Sequence, residues 1–156
     1  MFTVVAGEHQ DMDASLPLCT CFAVRRAARH LTQVYDSHLA PTGLRTTQYS
    51  LLNTLAAAGS GSLLAVARRM GLDRTTLGRN LLPLERDGLV SIAVDPHDRR
   101  GRLLTITPAG EERLTQARSC WASAQAAFEA KYGAAETGRL HATLDTVMRL
   151  EFDTLS

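Results

Sequence analysis

A chain of 156 residues fits one domain, and a domain of this size buries about 68–70% of its unfolded surface, which is enough for a sizeable core. The formal net charge of +1 excludes a histone-like basic coat. No apolar run approaches the roughly 20 residues of a membrane helix, and the opening residues are acidic, unlike a secretory signal. We therefore expect a cytoplasmic protein with no membrane partner.

The first predicted elements are an arm and a long helix. Residues 1–14 show no helical or strand period, so we expect a mobile arm. A helix is predicted from about Pro17 to about Leu39, because proline suits a first helical turn and the Pro41/Gly43 turn follows. Its apolar stripe, which faces the core or a partner chain, consists of Leu18, Cys21, Val24, Ala28, Leu31, Tyr35 and Leu39.

Two shorter helices are predicted next. Thr46 is the expected cap of the second helix, which extends to a Gly-Ser-Gly-Ser turn at residues 59–62. Ser62 then caps a third helix over residues 63–70, and Gly71 turns the chain into a fourth. The third and fourth helices, with the turn between them, are typical of a helix-turn-helix.

The fourth helix is expected over about residues 74–87, since Asp73 can cap its start and Gly88 can close it in the left-handed conformation. At about 100° per residue, three leucines share one side and polar residues share the opposite side. The leucines are Leu77, Leu81 and Leu84, and the polar residues are Thr75, Arg79 and Arg86. One face can pack while the other reads DNA, although an ordinary amphipathic surface helix has the same pattern.

Two residues inside this helix argue against a purely structural role. Gly78 costs roughly 1 kcal/mol relative to alanine, and Pro83 costs roughly 3 kcal/mol in an unconstrained helix. Gly78 lies at the edge of the polar face, where a missing side chain allows close backbone approach. Pro83 predicts a bend.

A β-hairpin with a basic tip follows. Val90, Ile92 and Val94 alternate with small residues, and Leu104 and Ile106 alternate on the return strand. The tip carries Arg99, Arg100 and Arg102. A short basic finger suits the minor groove of DNA, while the alternative is a solvated hairpin with scattered charge.

Two further helices complete the chain. Thr107 and Pro108 supply a cap and a first-turn proline for a helix that ends before Gly133, and a last helix is predicted from about Ala135 to about Phe152. Their apolar stripes consist of Leu114, Ala117, Trp121, Ala124 and Phe128, then Leu140, Leu144, Val147 and Met148. Together with the first helix they carry more apolar surface than a DNA-reading unit can cover, which predicts a dimer.

The positive charge is concentrated in the middle of the sequence. Residues 68–102 carry eight arginines and five acidic residues, which gives +3 locally and leaves −2 for the rest. This excess coincides with the helix and hairpin that would face DNA.

The sequence contains none of the common enzyme motifs. A nucleophile elbow, a phosphate loop and a dinucleotide fingerprint are all missing, so we expect neither an enzyme nor a cofactor. Cys19 and Cys21 would point about 200° apart on a helix, which disfavours a disulfide between them. They are either unreactive thiols or a redox or metal sensor, the metal site being completed by another residue such as His9.

Three segments resemble the MarR-type transcriptional regulators: LAPTGLRTTQYSLLNTL (39–55), DRTTLGRNLLPLERDGLV (73–90) and DPHDRRGRLLTITPAGEE (95–112). The resemblance extends roughly from Leu18 to Tyr132. It implies a mainly α winged helix-turn-helix with a small β-hairpin wing, in a single domain over residues 15–156. Residues 44–107 would form the reading head, and residues 15–40 and 108–156 the dimerisation helices.

The resemblance further implies a homodimeric regulator, expected to be a repressor released from a pseudopalindromic operator by a small-molecule effector. Candidate DNA contacts are Arg74, Thr75, Thr76, Arg79, Asn80, Arg99, Arg100 and Arg102. One alternative is a redox- or metal-sensing regulator that uses Cys19 and Cys21. An alternative of another class is a winged-helix protein-interaction module, which would lack salt-sensitive, sequence-specific DNA binding.

Overall fold

The computed structural model describes residues 19–96 and 98–151 and contains mainly helices with a small antiparallel sheet. In chain order the elements are α1 (Thr20–Leu39), a 3-10 turn (Ala40–Thr42), α2 (Thr46–Ala58), β1 (Ser60–Ser62), α3 (Leu63–Met70), α4 (Arg74–Arg86), β2 (Val90–Val94), β3 (Arg102–Ile106), α5 (Pro108–Tyr132) and α6 (Ala134–Met148). This order confirms the predicted winged helix fold. The arm over residues 1–14 lies outside the described residues. The two outer helices are shorter than predicted: α1 begins at Thr20 and not near Pro17, because Cys19 before it has extended backbone angles, and α6 ends at Met148 and not near Phe152, because Arg149 forms its C-cap.

The sheet has three strands where the sequence predicted a two-stranded hairpin. β3 is central, with β1 on one side and β2 on the other, and both pairs are antiparallel. Ser60 lies opposite Thr105, and Val90 lies opposite Ile106. The prediction that residues 59–62 form only a turn was wrong, because Ser60–Ser62 pairs with the otherwise open edge of β3. A three-residue Gly-Ser segment carries no strand pattern of its own, so this pairing depends on the partner strand.

The core lies where the helix-turn-helix meets the sheet and the start of α5. The three leucines predicted to face inward from α4 are each 1% exposed or less. Leu51, Leu52 and Leu55 of α2, Leu104 of β3 and Leu114 of α5 are buried to the same degree and belong to the same cluster. Burial of each such side chain contributes roughly 1.5–3 kcal/mol, so this cluster supplies the main driving force for folding the head.

The cap of α2 differs from its prediction. The N-cap position is Arg45, whose backbone amide donates to Gln48 Oε1 at 2.8 Å, and Thr46 is the first helical residue. Both the amide and the hydroxyl of Thr46 donate to Asp36 Oδ1 at 2.7 Å. A carboxylate on α1 therefore caps α2. Its burial acts to raise the pKa of Asp36, but the hydrogen bonds from Thr46 and Arg45 outweigh this effect, and the pKa lies below its ordinary value.

Helices α1, α5 and α6 differ in how much of their apolar stripes they bury. On α5, Leu114, Ala117 and Ala124 are buried and Phe128 is partly buried. Among the described residues of the α1 stripe, which begin at Cys21, only Leu39 is buried, and Val24 is 44% exposed. On α6, Met148 is 75% exposed. The apolar faces of α1 and α6 thus remain largely uncovered within one chain. None of the described helices combines the length and apolar character needed to cross a membrane.

One junction joins the sheet to α5. Thr107 Oγ1 donates to the carbonyl of Gly88 at 2.6 Å and accepts from the amide of Gly110 at 3.1 Å. The amide of Thr107 donates to the carbonyl of Leu89 at 3.1 Å. Gly110 is buried here, and a Cβ atom at this position would collide with the carbonyl oxygen of Leu89 and lie 2.8 Å from Ile106 Cγ1. Only glycine lets the first turn of α5 approach the chain that leaves α4.

We predict that Gly110→Ala lowers the free energy of unfolding by about 3 kcal/mol, because the added methyl group pushes the first turn of α5 away from the backbone at Leu89. Gly78→Ala is the matched control, since a Cβ at Gly78 meets nothing within 4 Å and alanine favours a helix by about 0.5–1 kcal/mol. Equilibrium denaturant unfolding measures both variants. Equal stability of Gly110→Ala and the unmodified protein would contradict the tight junction.

Candidate nucleic-acid interface

The start of α4 is built as predicted. Asp73 has extended backbone angles, and its carboxylate accepts from the amide of Thr76 at 2.8 Å and from the Thr76 hydroxyl at 2.6 Å. These hydrogen bonds hold the pKa of Asp73 below its ordinary value. The capping fixes where the helix begins and therefore which side chains occupy its outer face.

The outer face of α4 is an exposed stripe at helical spacing. Arg74, Thr75 and Arg79 are exposed, whereas Thr76 and Asn80 are partly buried, nearer to the core side. Arg86 is also exposed, and its Nε donates to Asp87 Oδ1 at 2.9 Å. α4 continues through Pro83 to Arg86. The structure thus places the five predicted contact residues of this helix in its first two turns, with three of them exposed.

The same stripe contains an apolar residue that is not among the predicted contacts. Leu82 is 63% exposed and lies one turn beyond Arg79. Helical spacing alone places it on the outer face, because it follows Thr75 by seven residues. The predicted contacts on this face were all polar residues, so Leu82 is not among them.

The wing is a tightly closed hairpin. The amide of Asp95 donates to the carbonyl of Gly101 at 3.2 Å, and the amide of Gly101 donates to the carbonyl of Asp98 at 2.8 Å. The Asp98 carboxylate accepts from the backbone amide of Arg100 at 3.0 Å. Arg99, Arg100 and Arg102 are exposed, and the guanidinium of Arg102 donates to the carbonyl of Gly101. The wing therefore presents three cations on a fixed turn.

A short connection, residues 87–89, joins α4 to the strand that carries the wing. Gly88 adopts the left-handed conformation with a φ of 70°, as predicted, and the amide of Leu89 donates to the carbonyl of Leu84 at 2.8 Å. β2 begins two residues after Gly88 and carries the wing. Because Leu84 and Val90 are both buried in the core cluster, α4 and the base of the wing pack into one core.

A cleft of about 540 Å³ lies between α1, α2, α5 and α6. Its apolar walls consist of Leu31, Tyr35, Trp121, Phe128, Leu140 and Leu144. Polar groups form a short chain at one side, in which Tyr35 Oη donates to Gln125 Oε1 at 2.5 Å and Gln125 Nε2 donates to Glu129 Oε1 at 2.7 Å. Burial, and then the nearby charge of Glu129, raise the pKa of Tyr35. The cleft is therefore mostly apolar, with polar groups along one side.

Trp121 connects this cleft to the helix-turn-helix. Its ring stacks on Tyr49 of α2, with ring centroids 5.9 Å apart and an interplanar angle of 12°. Tyr49 is buried at 6% exposure, whereas Trp121 is 37% exposed toward the cleft. A ligand against Trp121 would thus contact a side chain that is packed on the reading head.

Cys19 and Cys21 lie at the start of α1, remote in sequence from α4, and both are exposed. Across residues 19–96 and 98–151, no group of three His, Cys, Asp or Glu side chains is arranged to hold a metal ion. His9, the suggested additional ligand, lies outside this part of the chain. A sensing role for the two thiols stays a prediction.

Comparison with known proteins identifies the type of regulator. No protein-family model matches the chain. The solved structure of the M. tuberculosis transcriptional regulator MosR in complex with DNA is 36% identical, covers 85% of this chain and 100% of its own, and has a TM-score of 0.73. PcaV of Streptomyces coelicolor, solved with its natural ligand, is 26% identical, covers 87% of this chain and 97% of its own, and has a TM-score of 0.76.

A curated relative agrees with these structures. The putative transcriptional regulatory protein for the hcr operon of Thauera aromatica is 28% identical over 132 residues, which are 85% of this chain and 75% of the relative. The structural neighbours are MarR-family regulators, and this chain covers the whole of the MosR chain. The chain therefore belongs to the MarR family of DNA-binding transcriptional regulators.

Proposed function

We propose that the protein is a homodimeric repressor that binds a pseudopalindromic operator and is released from it by a small molecule. The observation that carries this proposal is the exposed stripe on α4 beside a closed hairpin with three exposed arginines, both attached to one core. An α-helix fits the major groove, and a narrow basic finger fits the minor groove. MosR, the similar regulator, is known in a complex with DNA.

The first two turns of α4 supply the proposed major-groove contacts. Arg79 has the reach and the planar donors for a bidentate contact to a guanine edge. Thr75, one turn earlier, is exposed on the same side. We assign Arg74, Thr76 and Asn80 to contacts with phosphates or neighbouring base edges. Thr76 and Asn80 are only partly exposed, whereas Arg74 is exposed at the first position of the helix.

The wing supplies the proposed minor-groove and phosphate contacts. Arg99, Arg100 and Arg102 extend from a turn in which Asp95 bonds to Gly101, and Asp98 accepts from the amides of Arg100 and Gly101. A preorganised tip loses less conformational entropy when it binds than a mobile loop would. Contacts of this kind set affinity more than sequence preference.

The proposed dimer uses the uncovered apolar faces of α1 and α6. Phe22 and Val24 near the start of α1 are 56% and 44% exposed, and Val147 and Met148 at the end of α6 are 45% and 75% exposed. Large apolar side chains left exposed on two helices support an interface between subunits. Two copies related by a two-fold axis would present two α4 helices to two half-sites.

The proposed effector site is the cleft beside Trp121. A small apolar molecule there would contact α1, α5 and α6 on one side and, through the Trp121 and Tyr49 stack, α2 of the reading head on the other. A ligand that binds one separation of the two heads more tightly than another shifts the dimer toward that separation. The resulting change in operator affinity is limited by the difference between the ligand's affinities for the two separations. PcaV, solved with its natural ligand, shows that a structurally similar regulator binds a ligand.

Arg79→Ala and Arg100→Ala separate the two DNA-contacting elements. DNA selected by the purified protein defines the operator, and binding is then measured on this operator and on random DNA at several salt concentrations. Arg79→Ala is expected to lose about 1–3 kcal/mol on the operator and to relax one base preference in each half-site. Arg100→Ala is expected to weaken binding on all DNA and to reduce the salt slope by about two for the symmetric dimer.

Arg139→Ala is the control for this pair, because Arg139 is an exposed arginine on α6 that pairs with Glu136. It is expected to bind like the unmodified protein. If neither Arg79→Ala nor Arg100→Ala changes binding by more than twofold, the interaction-module alternative becomes the better description.

Fluorescence tests the proposed effector site, because Trp121 is the one tryptophan of the sequence. Phenol, benzamide and benzoate serve as probes of similar shape and different polarity. A probe that changes the Trp121 emission is expected to lower operator affinity as well. Leu140→Phe narrows the cleft and should weaken binding of that probe about tenfold. Leu150→Phe lies outside the cleft and should leave the affinity for the probe unchanged. Operator release by a probe that leaves Trp121 emission unchanged would contradict this site.

A further inference from the structure

The exposed face of α4 has an apolar side chain at its centre. Thr75, Arg79, Leu82 and Arg86 follow one another at intervals of four, three and four residues, so they form a single stripe. Leu82 is 63% exposed within this stripe. Its neighbours along the stripe are two arginines, so Leu82 is not part of the apolar faces on α1 and α6.

Gly78 widens the space beside Leu82. It precedes Leu82 by one turn on the same side of the helix, and a Cβ there would meet nothing within 4 Å. The fold therefore does not require glycine at this position, although glycine weakens the helix. Without a side chain at Gly78, base edges can approach the backbone and contact the Leu82 methyl groups.

We propose that Leu82 contacts the 5-methyl group of a thymine in the major groove and thereby specifies thymine at one position of each half-site. This inference rests on the proposed DNA-binding mode of α4. The thymine methyl group is the apolar feature that the major groove presents, and an apolar side chain is its natural partner. Burying the two groups against each other removes both from water.

Helix geometry places this thymine relative to the base that Arg79 reads. A rise of about 1.5 Å per residue separates residues 79 and 82 by about 4.5 Å along the helix axis. Base pairs are stacked about 3.4 Å apart along the DNA axis. The thymine therefore lies within about two base pairs of the position at which Arg79→Ala relaxes the preference.

Replacing thymine by deoxyuridine tests the contact, because it removes the methyl group and leaves base pairing unchanged. Each thymine of the selected operator is replaced in turn, symmetrically in both half-sites, and affinity is measured at one salt concentration. At one position we expect about three- to fivefold weaker binding per half-site. Leu82→Ala is expected to bind the thymine and deoxyuridine operators equally at that position.

Leu64→Ala is the matched control, since Leu64 is 56% exposed but lies on α3. It should keep the full preference for thymine. Because Leu82 is exposed, Leu82→Ala should also unfold at the same denaturant concentration as the unmodified protein. This comparison separates a lost base contact from a damaged fold.

Two results would overturn the inference. One is an operator in which no replacement by deoxyuridine changes affinity by more than about 1.5-fold. The other is a Leu82→Ala variant that keeps the full discrimination. If either occurs while Arg79→Ala still weakens operator binding, the proposed DNA-binding mode stands and only the role of Leu82 is wrong. If Arg79→Ala and Arg100→Ala have no effect either, the DNA-binding mode itself is wrong.

Discussion

The contact of Thr107 and Gly110 with Gly88 and Leu89 holds α4 and the wing to the long helix α5. Thr107 donates hydrogen bonds to the carbonyls of Gly88 and Leu89, which follow α4, and its hydroxyl also caps α5. One residue therefore links the end of the sheet to the start of the helix and sets the angle between them. Gly110 makes this approach possible because any Cβ would collide with Leu89. The positions of α4 and the wing relative to α5 follow from this contact.

A second connection joins α1 and α5 to α2. Asp36 of α1 caps α2 through Thr46, and Trp121 of α5 stacks on Tyr49 of α2. The cleft lies among these same helices. Motion of α1 and α5 relative to each other would therefore be transmitted to α2 through the Asp36–Thr46 hydrogen bonds and the Trp121–Tyr49 stack. In the proposed dimer, this is the physical route from an effector to the spacing of the reading heads.

Local signals in the sequence predicted much of this structure. The caps Ser62 and Asp73, the left-handed Gly88 and the buried leucines of α4 each depend on residues within one helix length, and all are confirmed. The pairing of β1 with β3 and the capping of α2 by Asp36 join segments distant in sequence, so local patterns could not reveal them. Leu82 was missed because polarity alone was used to select contact residues. The DNA-contacting roles stay predictions.

The central claim is that two rigidly held reading heads of one dimer bind two half-sites at a fixed separation. The most direct test measures affinity for the selected operator after insertion of one, two or five base pairs between its half-sites. We predict that each insertion reduces affinity toward that of a single half-site, because rigid heads one helical turn apart cannot follow the altered spacing and rotation. Unchanged affinity across the series would contradict the claim.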